Sequence, residues 1–248
     1  MLYAQGIYFL FVQRYKNSVM LEKRYKDAFE RASEERKNKI LEVGIEEFSS
    51  KGYENANINI IAKNAGISIG LMYKYFSTKE DLFITCLEHG MEILDHAIDE
   101  ILKSDDKLLV KAEKLIRTTC AHSKKNANYI KLYNEITSEK DSDRARMLSR
   151  EIEGNTSKKY ITCIAQALAN GDVRDDLDPR YFAFFLDNLL TSLQFSYTCD
   201  YYRERFEIYT GVDVEELDDE KVVSQLLKFI ESAFTFKKRC AQQGGLYE

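Results

Sequence analysis

A chain of 248 residues with 44% hydrophobic and 31% charged side chains can bury a core, and its length fits one large domain or two modest ones. One Pro and 11 Gly are too few for the many turns of a strand-rich fold, which leaves long helices with short connections. The net charge of -5 argues against a uniformly basic nucleic-acid coat, but the charge is unevenly placed. Residues 1–80 carry 13 Lys/Arg against 10 Asp/Glu, the remainder carries 23 against 31, and no acid occurs from Asn55 to Lys79.

The chain opens on an extension, residues 1–32. Its apolar run Ile7-Tyr8-Phe9-Leu10-Phe11-Val12 is far shorter than the roughly 20 residues a membrane span needs. It lacks the preceding positive charge and following small-residue site of a secretory signal. Residues 1–19 read either as an extension ahead of an alternative start at Met20 or as a helix packing on the body or a partner subunit. Ser33–Ser50 then shows helical spacing at Ile40, Leu41, Val43, Ile45 and Phe48, with Ser33 as N-cap, Glu34 and Glu35 in the first turn, and Gly52 as its end. Asn57–Asn64 is a short second helix capped by Asn57, Ala65-Gly66-Ile67 a turn, and Ser68 the cap of a third helix reaching about Tyr75. Ser77 or Thr78 caps a fourth, with Glu80 and Asp81 in its first turn.

Beyond it the spacing predicts helices over Leu82–Lys103, Asp106–Lys124, Ala127–Ser138 and Ser142–Asn170. Asn170-Gly171-Asp172 is a C-cap and turn. Asp178 caps, and Pro179 opens, a helix running to about Tyr202 or beyond. Glu204–Asp219 reads as irregular and acidic, Glu220–Lys238 as the last strong helix, and 241–248 as a tail. Cys86, Cys120, Cys163, Cys199 and Cys240 are odd in number and form no C-x-x-C, so they read as reduced core thiols in a cytoplasmic chain. Cys86, His89, Glu92 and His96 fall at helical spacings but read as interface polar residues, not metal ligands. There is no H-E-x-x-H, no G-x-x-x-x-G-K and no G-x-G-x-x-G, and no cofactor or catalytic role is expected.

Two short helices joined by a Gly-containing turn form a helix-turn-helix. Ala62 lets the helices cross closely, and Gly66 can take a left-handed backbone that a Cβ resists. Ile61, Ile67, Met72 and Phe76 would share a core, while Tyr73 and Tyr75 would project toward solvent or phosphate.

The string Ile61-Ala62-Lys63-Asn64-Ala65-Gly66-Ile67-Ser68-Ile69-Gly70-Leu71-Met72-Tyr73-Lys74-Tyr75-Phe76, continued by Ser77-Thr78-Lys79-Glu80-Asp81-Leu82, resembles the TetR family of bacterial regulators. The likeness reaches back through Ile40 and Ala56 and covers about 50 residues. It implies an all-α fold: a helix-turn-helix DNA-binding domain at 33–80 and a helical effector-binding and dimerisation domain at 81–240. It implies that Tyr73, Tyr75 and Lys79 meet phosphates, that Ser68 and its helix N-terminus offer donors, and that Gly70 permits close approach. Leu71 would face the groove, Lys74 would reach a base edge or phosphate, and Asn57 would cap and donate. Asn59, Ile69 and Leu71 depart from the commoner residues at their positions, so shape and phosphate contacts should outweigh base reading.

The resemblance further implies a repressor that grips a palindromic operator in double-stranded DNA as a homodimer, through helices at about 179–202 and 220–238. A small hydrophobic or aromatic effector would release it, from a pocket whose candidate lining is Tyr129, Tyr133, Tyr160, Phe185, Asn188 and Phe195. The alternative is a DNA-binding regulator controlled by a protein partner, with no small-molecule effector. No membrane association is expected.

Overall fold

The computed structural model describes residues 24–140 and 142–235 of the chain, apart from the side chains of Ile93 and Glu151. The apolar run at 7–12, Cys240, the expected tail and residues 236–238, where the last helix was expected to continue, lie outside the described residues. Among these residues the fold is all-α, with no strand. Eleven α-helices follow in order: α1 Asp27–Glu30, α2 Glu34–Asn55, α3 Ile58–Asn64, α4 Ile69–Tyr75, α5 Lys79–Lys103, α6 Leu108–Lys125, α7 Ala127–Thr137, α8 Ser142–Ala169, α9 Pro179–Thr198, α10 Asp200–Thr210 and α11 Asp219–Phe234.

Local capping chemistry sets most boundaries. The Ser33 hydroxyl accepts from the Arg36 N–H, and the Asp178 carboxylate accepts from the Arg180 N–H with Pro179 in the first turn. Thr78 and Asp81 form a reciprocal capping box at the start of α5. Gly171 takes a φ of 73° in the turn after α8, as its Asn-Gly-Asp context predicts. Gly52 kinks α2 at a φ of 71° rather than ending it, and a last turn continues to Asn55.

Two expectations fail at the far end. The helix opened by Pro179 stops at Thr198, and Glu204–Thr210 is helical rather than irregular. Cys199 adopts an extended backbone (φ -101°, ψ 125°) and is buried beside Tyr129, Ile130 and Phe195. Drawing that side chain inward bends the path, and α10 restarts at Asp200, an acid placed favourably at a helix N-terminus. No Gly or Pro marks the break, so the sequence pattern carries no sign of it.

Two apolar cores result. One gathers Phe29, Ile40, Phe48, Ile61, Met72, Phe76, Leu82 and Leu87, and extends to Leu132 of α7 and Ile152 of α8. The other joins α6, α8, α9 and α11 through Ile116, Ile164, Leu186, Leu190 and Ile230. α5 belongs to both, with Leu82–Leu87 in the first and Ile98 and Leu102 in the second. No helix of the described residues is long and apolar enough to cross a membrane.

Candidate nucleic-acid interface and the cavity behind it

α3 and α4 are short because each is closed by local groups. Asn57 Oδ1 accepts from the Asn59 N–H at 2.9 Å and from Asn59 Nδ2 at 3.1 Å. Gly66, at a φ of 71°, turns the chain, and Ser68 Oγ accepts from the Leu71 N–H at 3.1 Å. Ile61, Ala62, Met72 and Phe76 seal the crossing, with Ile67 packed at its edge. Asn57, Asn59, Ser68, Gly70, Tyr73 and Lys74 are brought together on the outer side, all exposed, with no acid among them. A Cβ built at Gly70 would meet only Ser68 Oγ, at 3.9 Å, so the outer surface there is open.

Gly66-Ile67-Ser68-Ile69-Gly70 also spells the G-x-S-x-G of a nucleophile elbow. That device needs a strand-to-helix turn. No strand exists among the described residues, and this serine caps α4.

Three of the expected contact residues turn out differently. Tyr73 is 48% exposed, but Tyr75 is only 3% exposed and meets the Phe29 ring edge-on at 5.4 Å. The expectation that Tyr75 projects toward phosphate is therefore corrected. Tyr75 lies three residues after Met72 and shares its buried helix face. Lys79 is half-buried. Its ammonium donates to the carbonyls of Tyr53 at 2.7 Å, Glu54 at 3.0 Å and Ala56 at 3.3 Å, and sits 4.7 Å from the Tyr53 ring centroid. It closes the end of α2, where bare carbonyls attract a cation, and is not a free phosphate partner. Leu71 is half-buried against the core rather than fully presented to a groove.

The sequence reading missed Lys26. Its ammonium donates to the Tyr73 carbonyl at 2.8 Å and its N–H to the Tyr75 carbonyl at 2.9 Å, fixing the C-terminus of α4. Phe29 beside it is core. A four-residue helix has too little periodicity to stand out, so this segment was grouped with the N-terminal extension.

Behind the head, α5, α7, α8 and α9 enclose a cleft of about 490 Å³ and a small adjoining cavity of about 70 Å³. Of the six candidate lining residues, Tyr133, Tyr160, Asn188 and Phe195 line the cleft and Tyr129 lines the smaller cavity. Phe185 does not. It is 54% exposed, on the face of α9 that also carries Phe184 and, one turn earlier, Tyr181, while Ala183, Leu186 and Leu190 take the buried face. That face and the exposed Phe229 of α11 leave large apolar side chains uncovered.

Gln194, a polar candidate that the sequence offered beside Asn188, lines the inner cavity, and with it stand polar wall residues that were not foreseen, among them Thr119, Glu153 and Asp187. Tyr133 donates to Glu153 Oε1 at 2.6 Å, and burial with that carboxylate's charge pushes the phenol well above its ordinary range. Burial, reinforced by Glu153, raises the Asp187 carboxyl to about 7. A signal for Asp187 existed: it is the only acid between Asp178 and Asp200, inside a strongly apolar helix. The Tyr129 ring reaches from the cavity to α5, where it lies so close to Gly90 that a Cβ there would overlap it. His122 packs edge-on to the same ring at 6.1 Å, and neither of its buried ring nitrogens has a partner among the described residues.

Residues 40–86 match the family model described as bacterial regulatory proteins, tetR family. The chain is 26% identical over 205 residues to the uncharacterized HTH-type transcriptional regulator YvdT of Bacillus subtilis, spanning 81% of this chain and 92% of that protein. It is 25% identical over 145 residues to the fatty acid metabolism regulator protein of Bacillus subtilis, spanning 57% and 72%. Its fold is similar to the crystal structure of the transcriptional regulator FadR from Bacillus subtilis in complex with stearoyl-CoA, with a TM-score of 0.65 at 17% identity, covering 79% of this chain and 98% of that one. Residues 40–86, with the helix-turn-helix built from α3 and α4 at their centre, thus carry the DNA-binding region of the tetR family of bacterial regulatory proteins, and the chain as a whole is similar to TetR-type transcriptional regulators in sequence and in fold.

Proposed function

We propose that this regulator works in the cytoplasm as a homodimeric repressor that binds a palindromic operator and lets go when a small molecule fills the cavity. The observation that carries the DNA reading is the outer side of α3 and α4, exposed, capped and free of acid from Asn55 to Lys79 in a chain of net charge -5. In this reading α4 enters the major groove. Tyr73, Lys74 and Ser68 hold phosphates, Asn57 and Asn59 bond the backbone or a base edge, and Gly70 allows close approach. Leu71 offers a thymine methyl only its exposed edge. Tyr75, Lys79 and Lys26 position these groups without touching DNA themselves.

The uncovered apolar faces of α9 and α11 form the dimer interface as a four-helix packing, with Tyr181, Phe184, Phe185 and Phe229 at its centre. The link between sites is α5, whose start lies in the head core and whose Met91, Leu94, Asp95 and Ile98 line the cavity. An effector that displaces the Tyr129 ring pushes on Gly90, shifts α5, and moves the two heads away from a spacing of one DNA turn, about 34–36 Å. The fatty-acid regulator among the relatives, and the stearoyl-CoA held by the FadR structure, support a small-molecule effector over control by a protein partner.

Footprinting against DNA upstream of its own and neighbouring genes tests the reading. A protected palindrome is expected, with binding that weakens steeply between 50 and 200 mM salt, by about 10³-fold or more if six or more phosphates are contacted. Absence of any protected fragment, or salt-independent binding, rejects it.

A further inference from the structure

The effector role of the cavity is the reading on which the following rests. We infer that the effector is an organic cation: an amine or amidine carried on a compact aromatic or aliphatic body.

The charge on the walls supplies the first argument. Asp95 faces the cavity but is neutralised by Lys159, whose ammonium lies 2.7 Å from both carboxylate oxygens. Arg180 stands at the cleft, with its guanidinium held by Asp178 at 3.0 and 2.6 Å. Two carboxyls remain, Glu153 and Asp187, which line both the cleft and the inner cavity. Glu153 has only the neutral Tyr133 hydroxyl as a partner, and Asp187 has no hydrogen bond or ion pair among the described residues. No cation among the described residues pairs with either of them.

The second argument is independent of charge. Gln194 is 7% exposed and Thr119 4% exposed, both line the inner cavity, and neither side chain has a hydrogen-bond partner among the described residues. Their polar atoms are reached from the cavity, since only the His122 ring nitrogens are both buried and unpartnered among the described side chains, so a bound molecule can meet them. The Gln194 amide and the Thr119 hydroxyl can each donate or accept, and their oxygens can take N–H donors beside the Glu153 carboxylate. An ammonium or amidinium supplies donors and positive charge together.

The remaining wall suits the body of such a molecule. Tyr129, Tyr133, Tyr160 and Phe195 offer aromatic surface, which attracts a cation over its faces and buries a hydrocarbon at its edges. A cleft of about 490 Å³ is of the size that encloses a small organic molecule. An anionic ligand would have to lose its water beside the Glu153 carboxylate, which no cation among the described residues balances, with the Asp187 carboxyl next to it. The walls therefore oppose a carboxylate or phosphate group such as the one on the stearoyl-CoA held by FadR.

The test uses the full-length homodimer and three probes with the same body: 4-phenylbutylamine, 4-phenylbutanol and 4-phenylbutyrate, with stearoyl-CoA as a fourth. Calorimetry should show the amine binding at least tenfold more tightly than the alcohol and the butyrate. That preference should fall below about threefold in both Asp187→Asn and Glu153→Gln, each checked for unchanged helical circular dichroism. Tighter binding of the butyrate or stearoyl-CoA, equal binding of amine and alcohol, a preference unchanged in both variants, or no binding of any probe overturns the inference. Operator binding by the same preparations without a probe is measured alongside. If it persists while the amine fails, the ligand class falls and the DNA reading stands; if it is absent, the DNA reading falls on its own.

Discussion

The head and the cavity treat their polar groups in opposite ways. In the head, Asn57, Ser68, Thr78, Asp81, Lys26 and Lys79 all bond to nearby backbone, so α3 and α4 are held in place before any DNA arrives. In the cavity, Asp187, Gln194 and Thr119 line one wall system with no side-chain hydrogen-bond partner among the described residues, and burial raises the Asp187 carboxyl to about 7. The lesson is one of preorganisation: the surface proposed to read DNA is finished by the protein itself, whereas the cavity proposed to take an effector has polar groups that a bound molecule would complete. A region that lacks partners gains most when a ligand supplies them, which gives the effector its leverage on stability and shape.

The comparison can be broken most forcefully at the buried tyrosine of α4. Tyr75→Ala should remove about 3–5 kcal/mol of stability, as loss of a buried aromatic does, and thermal unfolding should show it. Lys79→Met comes next. It strips a charged donor from three carbonyls and should cost about 2–3 kcal/mol in denaturant unfolding, with DNA affinity falling only as far as the folded fraction does. A retained stability with lost affinity would instead make Lys79 a direct DNA contact.

Gly90→Ala should cost about 1–3 kcal/mol, since a Cβ there overlaps the Tyr129 ring. Its sharper signature is in the coupling: operator affinity should change even without effector, because Tyr129 and α5 are forced apart. Operator affinity identical to wild type would sever the proposed link.

Asp187 gives the pH dependence. Its carboxyl is raised to about 7 from an ordinary 3.8, so the folded state binds more protons than the unfolded state between those values. Its contribution is therefore most favourable below about pH 4 and is lost progressively as pH rises to about 7. Asp187→Asn should flatten that part of the stability profile and be more stable than wild type by roughly 1–2 kcal/mol at pH 8. Unfolding midpoints measured from pH 4 to 8 decide it, and parallel profiles for the two proteins would refute it.

The smallest expected effect sharpens the head. Tyr73→Phe should leave stability unchanged within about 0.5 kcal/mol, the usual range for a surface change. It should weaken operator binding about fivefold, the loss of one hydrogen bond to phosphate. Gel-shift titration beside a melting curve separates the two.

Much of this molecule was legible because the deciding interactions are local. Caps at Ser33, Asn57, Ser68 and Asp178, the Thr78–Asp81 box and the turns at Gly66 and Gly171 join residues only a few positions apart, so spacing alone reveals them. The amino-acid order thus determined an all-helical chain, a helix-turn-helix and an acid-free outer surface upon it. Other features waited on distant partners. Tyr75 is buried by Phe29, Lys79 is claimed by carbonyls at the end of α2, and Cys199 breaks its helix to reach the cluster of Tyr129 and Phe195. Glu153 and Asp187 share a cavity only because α8 and α9 pack side by side. Hydrogen-bond geometry within a helical turn is written in short-range order, while burial and the pairing or isolation of a charge depend on which surfaces meet, and only the packed structure decides that.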